Sequence, residues 1–241
     1  LRLYFWNTDG SLIEQRELLG LGGEFIPYPF TKLFLVQENF PLIEKLIPSP
    51  PSLSFLGSGD YHFLTYFHLR QFRFPFRLLL IDRHTDTQKS EIPLLSCGNW
   101  MNWALELPFL REVLVFGPEE NSSLDARMKI LSPSILGDIE LRQLPFYISI
   151  DKDILAPEEL MLGWEQGTWK VSELLDFLSL ILSRGANLIG TDVCGEPYLS
   201  PCDFSLQNQA QIRRSEVINL KIARFFRLYE RSGVPLNSEE F

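Results

Sequence analysis

The stretch Ile81–Asp86, I-D-R-H-T-D, ends the mostly apolar run Phe76–Ile81, and its reading decides the fold. A short run of this composition predicts a buried strand of a parallel sheet. Side chains two apart on an extended chain point the same way. Asp82, His84 and Asp86 are therefore expected on one side of the strand's carboxyl end, with Arg83 and Thr85 pointing elsewhere. Open α/β sheets gather their ligands at such ends, and carboxylates with an imidazole form a metal-ligand set. Taken alone, the same acids would also suit an ordinary turn.

Two further segments extend the pattern. Phe146–Asp153, F-Y-I-S-I-D-K-D, is again an apolar strand ending in acids two apart, Asp151 and Asp153. Leu56–Thr65, L-G-S-G-D-Y-H-F-L-T, sets His62 just after a glycine-rich turn. If Asp82, Asp86, Asp151 and Asp153 converge, their mutual repulsion would force protons onto them. Two divalent cations would supply the compensating charge, and His62 and His84 would complete six ligands. A carboxylate-rich set with imidazole suits manganese better than a thiolate-selected metal, so two Mn2+ ions are the expected cofactors.

The rest of the composition narrows the classes. A chain of 241 residues with 45% hydrophobic residues is long enough for one large α/β domain, expected to span 1–241. The net charge of −9 argues against nucleic-acid or anionic-membrane partners, both of which need a basic surface. A small-molecule substrate is the expected partner, and a homo-oligomer is compatible with everything above. Cys97, Cys194 and Cys202 are odd in number and form no spaced framework, which predicts reduced thiols in a cytoplasmic protein. No apolar stretch reaches the ~20 residues that span a bilayer. The opening L-R-L-Y-F-W-N lacks the pattern of a signal peptide and reads as an edge or first strand; without an initiator Met it is expected to begin slightly inside its gene product.

In chain order, strands are expected at Leu1–Trp6, Leu33–Val36, Ser52–Leu56, Phe76–Ile81, Glu112–Phe116, Phe146–Ile150 and in the segment T-D-V-C-G-E-P-Y after Asn187–Gly190. Helices are expected at Asn39–Leu46, Tyr61–Phe72, Gly98–Leu107, Val171–Arg184 and Gln207–Tyr229, with Ser123–Leu131 only weakly patterned. Pro48–Pro51 reads as a rigid loop, not a domain boundary. This alternation predicts an α/β fold, a three-layer α/β/α arrangement with a mostly parallel sheet.

The acid- and histidine-bearing segments resemble the metal-binding segments of the arginase/agmatinase (ureohydrolase) family, part of the wider arginase–deacetylase fold, from about Leu53 to Tyr198. The resemblance implies one metal held by His62, Asp82, Asp86 and Asp151 and a second by His84, Asp82, Asp151 and Asp153, with Asp82 and Asp151 bridging. It further implies a hydroxide between the metals as nucleophile, with Asp86 accepting a hydrogen bond from it and carrying its proton onward. The family histidine directly follows an Asp, whereas here Tyr61 separates Asp60 from His62, so Asp60 and His62 are both candidates for that ligand position. His68, six residues on from His62, turns to another helix face and reads as structural.

The resemblance also implies an acid at the fourth strand end that binds a substrate guanidinium, a planar fork suited to a carboxylate. Glu196 is the candidate, with a salt-bridged structural acid as the other reading. The loop Ser96–Trp100, S-C-G-N-W, lacks the family's proton-relay histidine, which leaves Asp86, Lys152 or water to serve the leaving group. Cys97, Asn99 and Trp100 are candidates to line the substrate pocket, although Trp100 also suits a core. With D-V-C-G-E, this loop resembles a less characterised arginase-like branch. The implied activity is metal-dependent hydrolysis of a non-peptide C–N bond, foremost of a guanidino compound. The alternatives are a deacetylase-type amide hydrolase and a degenerate member that binds metal or ligand without turnover.

Overall fold

The computed structural model describes residues 1–118, 125–133, 141–185, 187–198 and 206–232. Eight of its strands form one parallel sheet: β1 (Arg2–Asn7), β2 (Glu24–Pro27), β4 (Ser52–Gly57), β5 (Phe76–Ile81), β7 (Leu110–Phe116), β8 (Met128–Ile130), β9 (Phe146–Asp151) and β10 (Leu188–Cys194). They lie side by side as β2-β1-β4-β10-β9-β5-β7-β8, every neighbouring pair parallel. The short β3 (Phe34–Leu35) and β6 (Leu95–Ser96) pair antiparallel away from it.

Among the described residues six α-helices cover the two faces: α1 (Arg16–Gly20), α2 (Phe40–Glu44), α3 (Leu64–Arg70), α4 (Trp100–Leu105), α5 (Val171–Ser183) and α6 (Leu206–Ser232). The period of two along β5 divides the core. Leu79 and Ile81 join Phe55, Ile148 and Ile150 beneath Leu18 of α1, Leu178 of α5 and Phe225 of α6. Leu78 and Leu80 face the other way, into a cluster with Trp6, Val113, Ile43 of α2, Phe67 of α3 and Met101 of α4. A sheet buried on both faces explains why its strands read as continuous apolar runs. This is the three-layer α/β/α architecture expected from the alternation.

Several elements differ from the sequence reading. The strand expected at Leu1–Trp6 is first but not an edge: β1 lies between β2 and β4. The edge on that side is β2, a segment too short and too exposed to carry a strand signal. Helices expected at Tyr61–Phe72 and Gly98–Leu107 are shorter, because tight turns around Gly59–Tyr61 and at Gly98–Asn99 occupy their first residues. In the segment Ser123–Leu131 a three-residue strand forms at Met128–Ile130, and residues 123–124 lie outside the described residues. Cys202 also lies outside them. No described helix is long and apolar enough to cross a membrane.

Candidate metal centre

The adjacent strands β4, β10, β9 and β5 end on one rim of the sheet and bring the three sequence segments together. Beyond Ile81 the chain leaves the extended conformation, and Asp86 adopts a left-handed φ of 50°. Strand alternation therefore does not carry through to Asp86. A turn brings Asp82, His84 and Asp86 to the same place instead, and the Asp82 Oδ1 that accepts from the His84 N–H at 2.6 Å fixes its start.

His62 stands among the carboxylates despite the intervening Tyr61. Its Nδ1 lies 3.0 Å from Asp86 Oδ2, 3.2 Å from Asp82 Oδ2 and 3.5 Å from Asp151 Oδ2. Asp60 instead faces Lys32, 3.4 Å from its Nζ. The opposite side of the His62 ring is held by a relay across β9 and β10. Ser149 Oγ donates to Asp192 Oδ1 at 2.7 Å and so accepts from His62 Nε2 at 3.0 Å, while Tyr147 OH donates to Asp192 Oδ2 at 2.8 Å. That arrangement places a proton on Nε2 and turns Nδ1 toward the carboxylates, the orientation a metal-binding histidine requires.

The second group is Asp82, His84 and Asp153, whose donor atoms lie within 4.8 Å of one another. His84 Nδ1 is 2.8 Å from Asp153 Oδ2 and 3.6 Å from Asp82 Oδ1. Asp82 thus presents one oxygen to each histidine. Asp151, expected to reach both groups, stands with His62, and its Oδ1 accepts from the Asp153 N–H at 2.9 Å. Gly195, at φ 86°, permits this crowding, since a Cβ there would lie 2.5 Å from Asp151 Oδ1.

The electrostatics are those of too many acids in too little water. Burial and the charge of Asp82 push Asp86 up to about 6, and the same two causes raise Asp151. Burial with the charges of Asp151 and Asp82 lifts Asp153 well above the carboxylate range. Burial would also raise Asp82, but the imidazoles of His62 and His84 beside it outweigh burial and hold that group down at about 2. His84 is carried up to about 11 by Asp153 and then Asp82. Burial alone would lower His62; Cys194, Asp82 and Asp86 turn the balance upward. Asp82 Oδ2, fully buried, lacks a hydrogen-bond partner of good alignment. A deprotonated acid left in that state is costly. Divalent cations answer both the excess charge and the orphaned oxygen, so the residues present fit the two ions that the resemblance implies.

The donors face a cavity of about 290 Å3. Leu33, Phe34, Gln88, Cys97 and Trp164 form part of its wall, and Trp164 packs over Gly59. Cys97 therefore lines the cavity. Trp100 does not: it is wholly buried, donates from Nε1 to Asp86 Oδ2, and sets its ring 4.9 Å from that of His62. Asn99 is likewise turned inward, accepting from the Ser96 N–H and donating to the Leu94 carbonyl, both at 2.8 Å, which shapes the loop.

Glu196 requires a correction. Its carboxylate points away from the cavity and accepts from Lys152 Nζ, from Gln15 and Ser215 at 2.6 Å, and from Asn219 at 2.7 Å. Lys152, also wholly buried, is committed to this network and not to a leaving group. The physical reason is local: the β10 bulge at Val193/Cys194 and the turn at Gly195 rotate the next side chain toward α6. His68 is buried against Trp6 and Tyr147 and pushed down to about 3 by burial, a neutral core residue as expected.

The sequence reading passed over Ser149, Cys194 and Trp164. Ser149 was findable, being two residues before Asp151 and hence on the same face of β9. Trp164 lies in a loop with no periodic signal. Cys194 is reached only when β10 is known to lie beside β9.

A protein of Thermotoga maritima, described as uncharacterized, is 34% identical over 239 residues, covering 93% of this chain and 90% of that one. This chain belongs to its family. No protein-family model matches the chain. Among solved structures, proclavaminate amidino hydrolase of Streptomyces clavuligerus superposes with a TM-score of 0.62 at 14% identity, covering 91% of this chain and 90% of that one. Agmatine ureohydrolase of Thermoplasma volcanium gives 0.62 at 14% over 90% and 87%, and Helicobacter pylori arginase 0.61 at 13% over 91% and 99%. The family fold is thus the ureohydrolase fold, and its sheet rim carries the donor groups described above.

Proposed function

We propose that the chain works as a single domain hydrolysing a non-peptide C–N bond of a small molecule at a centre of two divalent cations. The observation that carries this reading is the convergence of His62, Asp82, Asp86 and Asp151 in one group and Asp82, His84 and Asp153 in an adjoining one, around a cavity. His62, Asp82, Asp86 and Asp151 would hold the first ion, and Asp82, His84 and Asp153 the second. Ions so held supply Lewis-acid polarisation of the substrate and lower the pKa of water near them. The chain's own part is to place and move protons. Asp86, steadied by the Trp100 N–H, would take a proton from the attacking water and pass it to the leaving nitrogen. The Ser149–Asp192 pair holds the His62 ring in its ligand tautomer throughout.

Guanidino and amidino compounds are the first substrate class, because proteins of this fold carry the names amidino hydrolase, agmatine ureohydrolase and arginase. The engagement of Glu196 by four donors favours a second class, since a buried cationic guanidinium needs a carboxylate beyond the metal set and this one is already occupied. Neutral N-acyl compounds make no such demand. The test is release of urea, ammonia or free amine from both classes by cation-loaded protein, with Asp86→Asn alongside. Turnover that falls by orders of magnitude in the variant supports the reading. Fully loaded protein inactive on both classes would replace it with a binding role.

A further inference from the structure

Cys194 ends β10 opposite Asp151 of β9 and is wholly buried. Its Sγ lies 3.0 Å from Asp151 Oδ2, to which the thiol donates. With His62 and Asp151 it forms a third group whose donor atoms all fall within 4.8 Å of one another. This sulfur therefore groups with His62, whereas His84 groups with Asp82 and Asp153. The bulge between Val193 and Cys194 and the left-handed Gly195 place it there. A second observation points to a ligand at the same spot: Asp82 Oδ2, buried and without an aligned hydrogen-bond partner, lies 3.2 Å from Nδ1 of the same His62.

We propose that Cys194 is a sulfur donor to the cation held by His62, and that it makes this position select a thiophilic divalent ion such as zinc or cobalt over manganese. The inference rests on the two-cation reading above. Oxygen and imidazole donors alone would serve manganese well, whereas thiolate shifts preference toward softer ions. On coordination the thiol proton passes to solvent, because a metal-bound cysteine is deprotonated. The position near His84 keeps oxygen and nitrogen donors only, so the two positions differ in the ions they prefer.

Cobalt(II) added to cation-free protein tests this by spectroscopy. Wild type and Cys97→Ser should both develop a sulfur-to-cobalt charge-transfer band in the near ultraviolet, and Cys194→Ser should bind cobalt without it. In competition, the zinc-over-manganese preference of one position should collapse in Cys194→Ser. Should that variant fold poorly, zinc-edge X-ray absorption of Cys97→Ser decides the matter, with a sulfur neighbour expected. Bound cobalt or zinc with no sulfur signature overturns the sulfur ligand and leaves the two-cation centre standing. Absence of any cobalt or zinc binding overturns the sulfur ligand, and absence of manganese binding as well overturns the two-cation centre.

Discussion

Single residues show how far chemistry can be inferred from spacing. The donors His62, Asp82, His84, Asp86, Asp151 and Asp153 were legible because each follows an apolar strand or a glycine turn, where side chains collect at a sheet rim. Glu196 has the same signature, yet its partners come from Gln15, Lys152, Ser215 and Asn219, far away in sequence. A strand-end acid reports its position but not the direction it takes after a bulge. Its position now implies a stability role. Removing the charge of Glu196 leaves buried Lys152 unpaired, which costs roughly 3–5 kcal/mol. Glu196→Gln should therefore lower the midpoint of chemical denaturation strongly while folded, cation-loaded protein keeps its turnover. Unchanged stability with abolished turnover would return Glu196 to the substrate.

At the scale of elements, the long central strands and α5 were readable from their periodicity, while short pieces such as β2, β6 and α1 were not. Elements of two to five residues carry too few side chains to show a period, and tertiary contacts decide them. What the elements do for the site is hold backbone close to backbone. Gly117, just beyond β7 at φ 132°, is an instance: a Cβ there would lie 2.1 Å from the carbonyl oxygen of Asp82. Gly117→Ala should cost about 1–3 kcal/mol through overpacking and also weaken cation binding by displacing Asp82. Gly10→Ala, at φ 78° with open space around its Cβ, controls for the backbone term alone. Equal losses of stability and equal cation affinity in the two variants would show that β7 does not position Asp82.

Across the whole molecule, the alternation of strands and helices gave the layers but not the order of strands. Placement of β10 between β4 and β9 brings Asp192 and Cys194 to the centre, and nothing local in the sequence encodes that neighbourhood. The same assembly sets the response to pH. His84, raised to about 11, carries a proton at neutral pH when no cation is bound, and His62 and the raised acids are shifted in the same direction, toward holding protons. Cations must displace these protons, so cation affinity should rise with pH and binding should release protons.

The central claim is that this rim holds two cations, and calorimetric titration of cation-free protein at pH 7 with manganese and with zinc, in buffers of different ionisation enthalpy, tests it most directly. The structure predicts about two equivalents of at least one of these ions, release of protons on binding, and loss of the second equivalent in Asp153→Ala. Wild-type protein that binds neither ion, or a double Asp151→Ala/Asp153→Ala variant that keeps the full stoichiometry, would contradict it.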